Sequence, residues 1–180
     1  MKVLILNGNP KAENHKFDEY IKELAGVLRK TGNSTVVLNL REMKVNYCIG
    51  CYTCWLKTPG SCVFKDDGPH ILKEYLNSDF VLYASPLIMG FISSLLKTVQ
   101  ERCLPLVHPF LYVNKDRMQH LSRYDKYPAI ALLLDYTDKF DQASSEIVEK
   151  VFRSSNNRKF LFTKTMENSP EEVAYALNSI

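Results

Sequence analysis

Four of the five cysteines in this 180-residue chain crowd into one short stretch, at Cys48, Cys51, Cys54 and Cys62. The first three follow C-x2-C-x2-C spacing, and three thiolates so placed can cup one face of an iron–sulfur cluster. Structural zinc more often uses two distant C-x2-C knuckles, so zinc is the weaker metal reading. The same residues also suit chemistry without a metal. Free thiols pack as small hydrophobes, and a C-x-x-C pair can be redox-active. Tyr52, Trp55 and the Thr58-Pro59-Gly60 turn give the stretch an apolar, packed character. A metal-free loop is therefore the first reading, and a four-iron cluster on Cys48, Cys51, Cys54 and Cys62 the second. Cys103 stands apart in a helical segment and reads as core.

Two further groups are suited to holding a ligand. Asn7-Gly8-Asn9-Pro10-Lys11-Ala12-Glu13-Asn14-His15-Lys16-Phe17 follows an apolar run and leads straight into a helix. Backbone N–H groups at a helix start favour a phosphate, and Asn9, Lys11, Asn14 and Lys16 add donors and charge. The segment also fits a plain strand-to-helix connection. It lacks the G-x-x-x-x-G-K-[ST] and G-x-G-x-x-G patterns. Asn7 and Asn9 stand where a magnesium-binding receiver domain needs carboxylates, and no G-x-S-x-G nucleophile elbow is present. The second group is Ser85-Pro86-Leu87-Ile88-Met89-Gly90. Pro86 stiffens the turn, Gly90 permits close backbone approach, and Leu87, Ile88 and Met89 offer an apolar floor to a flat ring.

The elements that position these groups alternate along the chain. Lys2–Leu6, Thr35–Leu40, Asp79–Ala84, Pro128–Leu134 and Lys159–Thr163 are apolar runs expected of buried parallel strands. Helical spacing recurs over Phe17–Lys30, from Asp66-Asp67 to about Asn77, over Phe91–Leu104, over Gln142–Arg153, and after the Ser169-Pro170-Glu171-Glu172 start. Residues 41–65 and 108–127 read as long irregular stretches, and long loops in compact domains are commonly functional. The pattern predicts an α/β fold over residues 1–180 as one domain: a doubly wound, five-stranded parallel sheet in three α/β/α layers. Ligands in such sheets sit beyond the carboxyl ends of the strands. That selects loops 7–17, 41–65, 85–90 and 135–141.

Composition narrows the function. Apolar residues make up 46% and charged residues 24%, and the net charge of +3 is too weak for a nucleic-acid partner. No segment approaches the roughly 20 apolar residues of a membrane span. The N-terminal apolar run is too short for a signal peptide, so a cytoplasmic location and no membrane partner are expected.

Three separated motifs resemble the flavodoxin-like NAD(P)H-dependent FMN reductases, in particular the branch that includes the iron–sulfur flavoproteins. GNPKAENHKF (8–17) is similar to the family's phosphate loop. CIGCYTCWLKTPGSCVFKDD (48–67) resembles its cysteine-rich segment ending in paired acids, and SPLIMGFISSLLKTVQER (85–102) its flavin loop and following helix. The resemblance implies that Asn9, Lys11, Asn14, His15 and Phe17 surround the FMN phosphate and ribityl chain. It also implies that Ser85, Pro86, Leu87, Ile88, Met89 and Gly90 line the isoalloxazine ring, and that Tyr136 in loop 135–141 closes the other side. The sequence departs from the pattern in places: Asn9 stands for a usual serine, Lys11 for a common arginine, Ile88 for a frequent tyrosine and Gly68 for a common methionine.

The expected activity is transfer of reducing equivalents from NAD(P)H through bound FMN to a small acceptor, in a homodimer or homotetramer. A four-iron, single-electron carrier serving a protein partner and a non-catalytic binding domain are the alternatives. His108, Phe110, Tyr112, Arg117, His120 and Tyr124 are expected to form a lid or a subunit contact. Asp66 and Asp67 are expected to cap a helix, and the family's acidic-Arg pair, Glu101 and Arg102, to be structural.

Overall fold

The computed structural model describes residues 1–114, 117–135, 139–154 and 159–179. Five parallel strands, β1 (Lys2–Asn7), β2 (Ser34–Asn39), β3 (Phe80–Pro86), β6 (Ala129–Asp135) and β7 (Phe160–Thr165), pair in the order β2-β1-β3-β6-β7. The central strands are buried on both faces, as their uninterrupted apolar runs require. Leu4, Leu6, Val81, Tyr83, Leu132 and Leu134 face one layer, formed by α3 (Gly68–Leu76), α4 (Ser94–Glu101) and α5 (Lys139–Ser154). Val3, Ile5, Leu82 and Leu133 face the other, formed by α1 (His15–Lys30) and α6 (Pro170–Asn178). This is the expected doubly wound, three-layer architecture. The chain winds outward from β1 to β2 and then returns to β3, so the topological switch lies between the carboxyl ends of β1 and β3.

Several boundaries differ from the sequence expectation. Part of the stretch 108–127 is a hairpin, β4 (Val107–Asn114) and β5 (Arg117–Ser122), forming its own antiparallel sheet. Pro109, a register shift between Val107 and Leu111, and apolar residues on both faces conceal the period of two. Ser85 and Pro86 extend β3, pairing with Leu134 and Asp135. α4 starts at Ser94, not Phe91, because the Ser93 side chain accepts the Leu96 N–H and caps the helix there. The long 41–65 connection holds a four-residue helix, α2 (Thr53–Leu56), entered through Tyr52 at φ 52°.

Candidate functional site

The first connection leaves β1 against β3: the Gly8 N–H donates to the Ala84 carbonyl at 2.8 Å. A Cβ on Gly8 would meet Leu96 Cγ at 2.6 Å, so only glycine lets α4 lie this close. Asn9 is completely buried and fully engaged. Its Nδ2 donates to the Asn14 carbonyl (3.2 Å) and to Asp18 Oδ1 (3.1 Å), and its Oδ1 accepts the Lys11 N–H (3.1 Å). Asn14 caps α1 by accepting the Phe17 N–H. The side chains of Asn9 and Asn14 therefore shape the loop.

The Phe17 ring points away, into the core layer of α1 and α6. Lys11, His15 and Lys16 are exposed at the mouth. The first-turn amides of α1 lie beyond the reach of intrahelical acceptors and carry the positive end of the helix dipole. A loop held from behind, with amides and lysines in front, can take an anion.

What holds it from behind is Asp18. Its Oδ1 accepts from Asn7 Nδ2 (2.9 Å), Asn9 Nδ2 (3.1 Å) and Arg41 Nη1 (3.0 Å), while Oδ2 lies 2.9 Å from the same Arg41 nitrogen. Burial pushes its carboxyl pKa upward, but the bonds from Arg41, Asn7 and Asn9 outweigh that and hold it below the usual range. Asp18 and Arg41 were not among the residues singled out from sequence. The available signal was Asn7, a polar side chain ending a buried strand, which must find partners.

The second wall is the β3–α4 connection. The Leu87 N–H donates to the Asp135 carbonyl (2.8 Å), tying it to the end of β6. Ile88 and Phe91 exchange N–H···O bonds of 2.8 and 3.2 Å across a two-residue turn. Both turn residues have positive φ, 51° at Met89 and 76° at Gly90, the geometry of a tight hairpin turn. A methionine in this region is uncommon and strained.

The result is a presented apolar tip. Met89 is 102% exposed and Ile88 39%, while Leu87 packs on the core. A Cβ on Gly90 would come within 2.9 Å of Ser144 Oγ on α5. Ser85, fully buried, accepts the Ser93 N–H at 2.9 Å and donates to the Pro86 carbonyl, which braces the turn from below. Pro86 is half-buried beside it. Tyr136, expected on the opposite wall, lies outside the described residues.

The cysteine segment forms a separate construction. Cys48, Cys51, Cys54 and Cys62 all line one small cavity of about 20 Å³. Trp55 pins the segment to the hairpin base: its Nε1 donates to the Leu104 and Val107 carbonyls at 3.0 Å, and its ring packs on His120 and Tyr52. Burial, with Cys62 and Cys48 nearby, pushes the Cys54 thiol up. Hydrogen bonds from Thr53 bring the exposed Cys51 thiol down. Among the described residues no three His, Cys, Asp or Glu side chains converge on a single metal-ion position. The four thiols border one hollow.

Beneath that hollow lies a buried ion pair, with Arg102 3% and Asp66 2% side-chain exposed. Arg102 Nη1 and Nη2 reach Asp66 Oδ2 and Oδ1 at 2.8 and 2.9 Å. The Arg102 guanidinium holds the Asp66 carboxyl well below the usual carboxylate range. Asp66 does accept the Gly68 N–H at the start of α3, as the capping reading expects. Its main partner, however, is Arg102. Asp67 caps nothing through its side chain and accepts the Lys44 N–H instead. Arg102 is structural, as expected, but pairs with Asp66; Glu101 pairs with Lys97 on the surface.

Comparison with known proteins fits this geometry. A family model for NADPH-dependent FMN reductase matches residues 1–118. An iron–sulfur flavoprotein of Methanocaldococcus jannaschii is 32% identical over 115 residues, covering 64% of this chain and 58% of that one. An iron–sulfur flavoprotein of Archaeoglobus fulgidus is 32% identical over 111 residues, covering 60% and 48%. The chain thus spans about half the length of the curated relatives it matches. An NAD(P)H:quinone oxidoreductase from Methanothermobacter marburgensis superposes at TM-score 0.66 with 14% identity, over 99% of this chain and 95% of that one. An azoreductase from Bacillus anthracis gives 0.59 with 16%, over 99% and 96%. These last two speak for the fold. With two-thirds of its length matched by the family model, and the crevice between β1 and β3 built as described, the chain belongs to the NADPH-dependent FMN reductase family, whose cofactor is FMN.

Proposed function

We infer that the chain binds FMN in the crevice between β1 and β3, takes reducing equivalents from a reduced nicotinamide, and passes them to a small acceptor. The observation that carries this reading is the Met89–Gly90 turn: an apolar tip held in strained backbone next to an anion-receptive helix start. Two close-packed glycines support this fit. Gly8 and Gly90 stand where a Cβ would collide with Leu96 and Ser144, which keeps the backbone of both walls close-set.

When bound, FMN supplies the redox chemistry. The protein supplies position and field. The start of α1, with Lys11, His15 and Lys16 around it, holds the phosphate. Asn9 and Asn14 keep that loop in shape. Leu87, Ile88 and Met89 give the ring an apolar surface and exclude water from it, and Ser85, Pro86 and Gly90 fix the turn that presents them. No side chain here need act as an acid or a nucleophile.

The test is the visible spectrum of the protein with added FMN, recorded anaerobically before and after NADPH or NADH. Bleaching of the flavin band is expected. Failure to bind FMN, or a bound flavin that neither nicotinamide bleaches, refutes the reading.

A second reading adds a four-iron cluster on Cys48, Cys51, Cys54 and Cys62. Four thiols bordering one hollow support it, as do the names of the curated relatives. Iron and acid-labile sulfide after anaerobic purification decide it. The β4–β5 hairpin also leaves Phe110, Val113 and Met118 more than half exposed. A lone hairpin is marginal in water, which favours a homodimer or homotetramer with this arm in the contact. Light scattering at low concentration tests that.

A further inference from the structure

Arg102 is anchored more heavily than a surface charge needs, yet incompletely satisfied. Asp66 takes both terminal nitrogens, the Asn46 carbonyl accepts from Nη1 at 2.7 Å, and the guanidinium lies over the Phe64 ring. Gly68 makes room for it: a Cβ there would meet Arg102 Nη2 at 2.6 Å. The third nitrogen, Nε, is buried, and its N–H has no hydrogen-bond partner among the described residues. Orphaned buried donors are rare and call for an acceptor. Arg102 lines the cysteine hollow, and the thiol adjoining its guanidinium is that of Cys62.

We propose that Arg102 is the positioning and tuning residue of the cysteine hollow, donating its Nε–H to the sulfur of Cys62 when the hollow holds an iron–sulfur cluster. This rests on the cluster reading given above. Cysteine-ligated clusters carry net negative charge, and their potentials respond to hydrogen bonds at sulfur and to nearby charge. A guanidinium fixed beside one ligating sulfur favours the reduced, more negative state over the oxidised one. Asp66 offsets much of the guanidinium's charge, but it binds the far edge and leaves the Nε–H free to donate. It orients Arg102 and keeps it from turning away.

The test uses the full chain, reconstituted anaerobically with ferrous iron and sulfide. The cluster's midpoint potential is followed by electron paramagnetic resonance during dithionite titration. The double variant Asp66→Asn/Arg102→Gln removes both buried charges together and so avoids stranding either one. Arg102→Lys keeps the charge but has no Nε–H. FMN content serves as the check on folding.

Both variants are expected to load iron and sulfide, with the midpoint shifted to lower potential. At the wild-type midpoint, the reduced-to-oxidised ratio should fall roughly tenfold in the double variant and less in Arg102→Lys. A loaded cluster with unchanged midpoint in either folded variant overturns the role of Arg102 while leaving the cluster reading intact. A wild-type protein that acquires no cluster overturns both. If the double variant loses FMN, Arg102→Lys decides alone.

Discussion

Replacing Arg41 by glutamine, or Asp18 by asparagine, removes one side of the pair that braces the first loop from behind. The Asp18 carboxylate accepts from two asparagine amides and from Arg41, all within 3.1 Å. With side chains 24% and 22% exposed, the pair is shielded enough to matter. In Asp18→Asn a single oxygen can still serve Asn7 and Asn9, but the new amide then turns a donor toward Arg41 Nη1 and the latch opens. In Arg41→Gln the carboxylate stays, and its charge under the loop is no longer neutralised. It then opposes a phosphate dianion directly.

A hydrogen bond to a charged partner contributes about 1.5–3 kcal/mol, so FMN affinity should fall between roughly tenfold and 150-fold in Arg41→Gln, and less in Asp18→Asn, where the freed Arg41 charge still favours the phosphate. Riboflavin shares the ring and ribityl chain but has no phosphate. Its affinity should change less than about threefold, since only the phosphate feels the loop's charge. Quenching of flavin fluorescence on titration measures both constants on one preparation, and the melting temperature checks the fold. Parallel losses for FMN and riboflavin, or no loss for either, would refute the argument that this loop grips the phosphate.

The remaining expectations concern the frame. Gly8→Ala forces a methyl group against Leu96 and Ser93, and should destabilise by about 1–3 kcal/mol in urea unfolding while weakening FMN binding. Asp66→Asn strands the Arg102 charge in a dry site and should cost about 3–5 kcal/mol at pH 7. Because the Asp66 pKa is depressed in the folded state, its contribution is complete above about pH 4 and is lost as pH falls. The gap between wild type and variant should therefore close in acid. Tyr20 donates to the Asn168 carbonyl, and its pKa is pushed up to about 12, by burial first and then by Glu172, Glu171 and Glu23. Tyr20→Phe should cost about 1 kcal/mol at pH 8. The wild-type advantage should then shrink as pH rises from about 10 toward 12, because a raised pKa stabilises only below it. Alkaline unfolding curves of the two proteins check this.

What the sequence made legible follows from how local the signal is. The parallel strands announce themselves because a strand buried on both faces must be apolar at every position, as Val3–Leu6 is. The last helix is equally plain. Ser169 and Glu172 form a capping box around Pro170, all within four residues. The hairpin was hidden because neither strand belongs to the main sheet and neither has a clean polar face. The loop-shaping bonds of Asn9 and Asn14 are illegible for a different reason. Residue type says that an amide can bind a phosphate, but not that the Asn9 donors go to Asp18 and the Asn14 carbonyl, or that the Asn14 side-chain oxygen accepts the Phe17 N–H. Phe17 belongs to the phosphate-loop motif, yet the helical period groups it with Tyr20, Ile21 and Leu24, and its side chain lies with theirs in the core.

The two bracing pairs share one connection. Arg41 opens the segment between β2 and α3, Cys48 to Cys62 occupy its middle, and Asp66 closes it. One end latches onto Asp18 beneath the first loop, and the other onto Arg102 at the end of α4. A connection of this length would otherwise be free to drift, since closing a long loop adds little penalty for each further residue and gives no definite shape. Two guanidinium–carboxylate clasps, one half-sheltered and one dry, fix its ends where hydrophobic contact alone would not. Buried ion pairs are poor sources of stability compared with apolar replacements. Their presence at both ends therefore argues for placement: the crevice and the cysteine hollow are held at a set separation by the same strap.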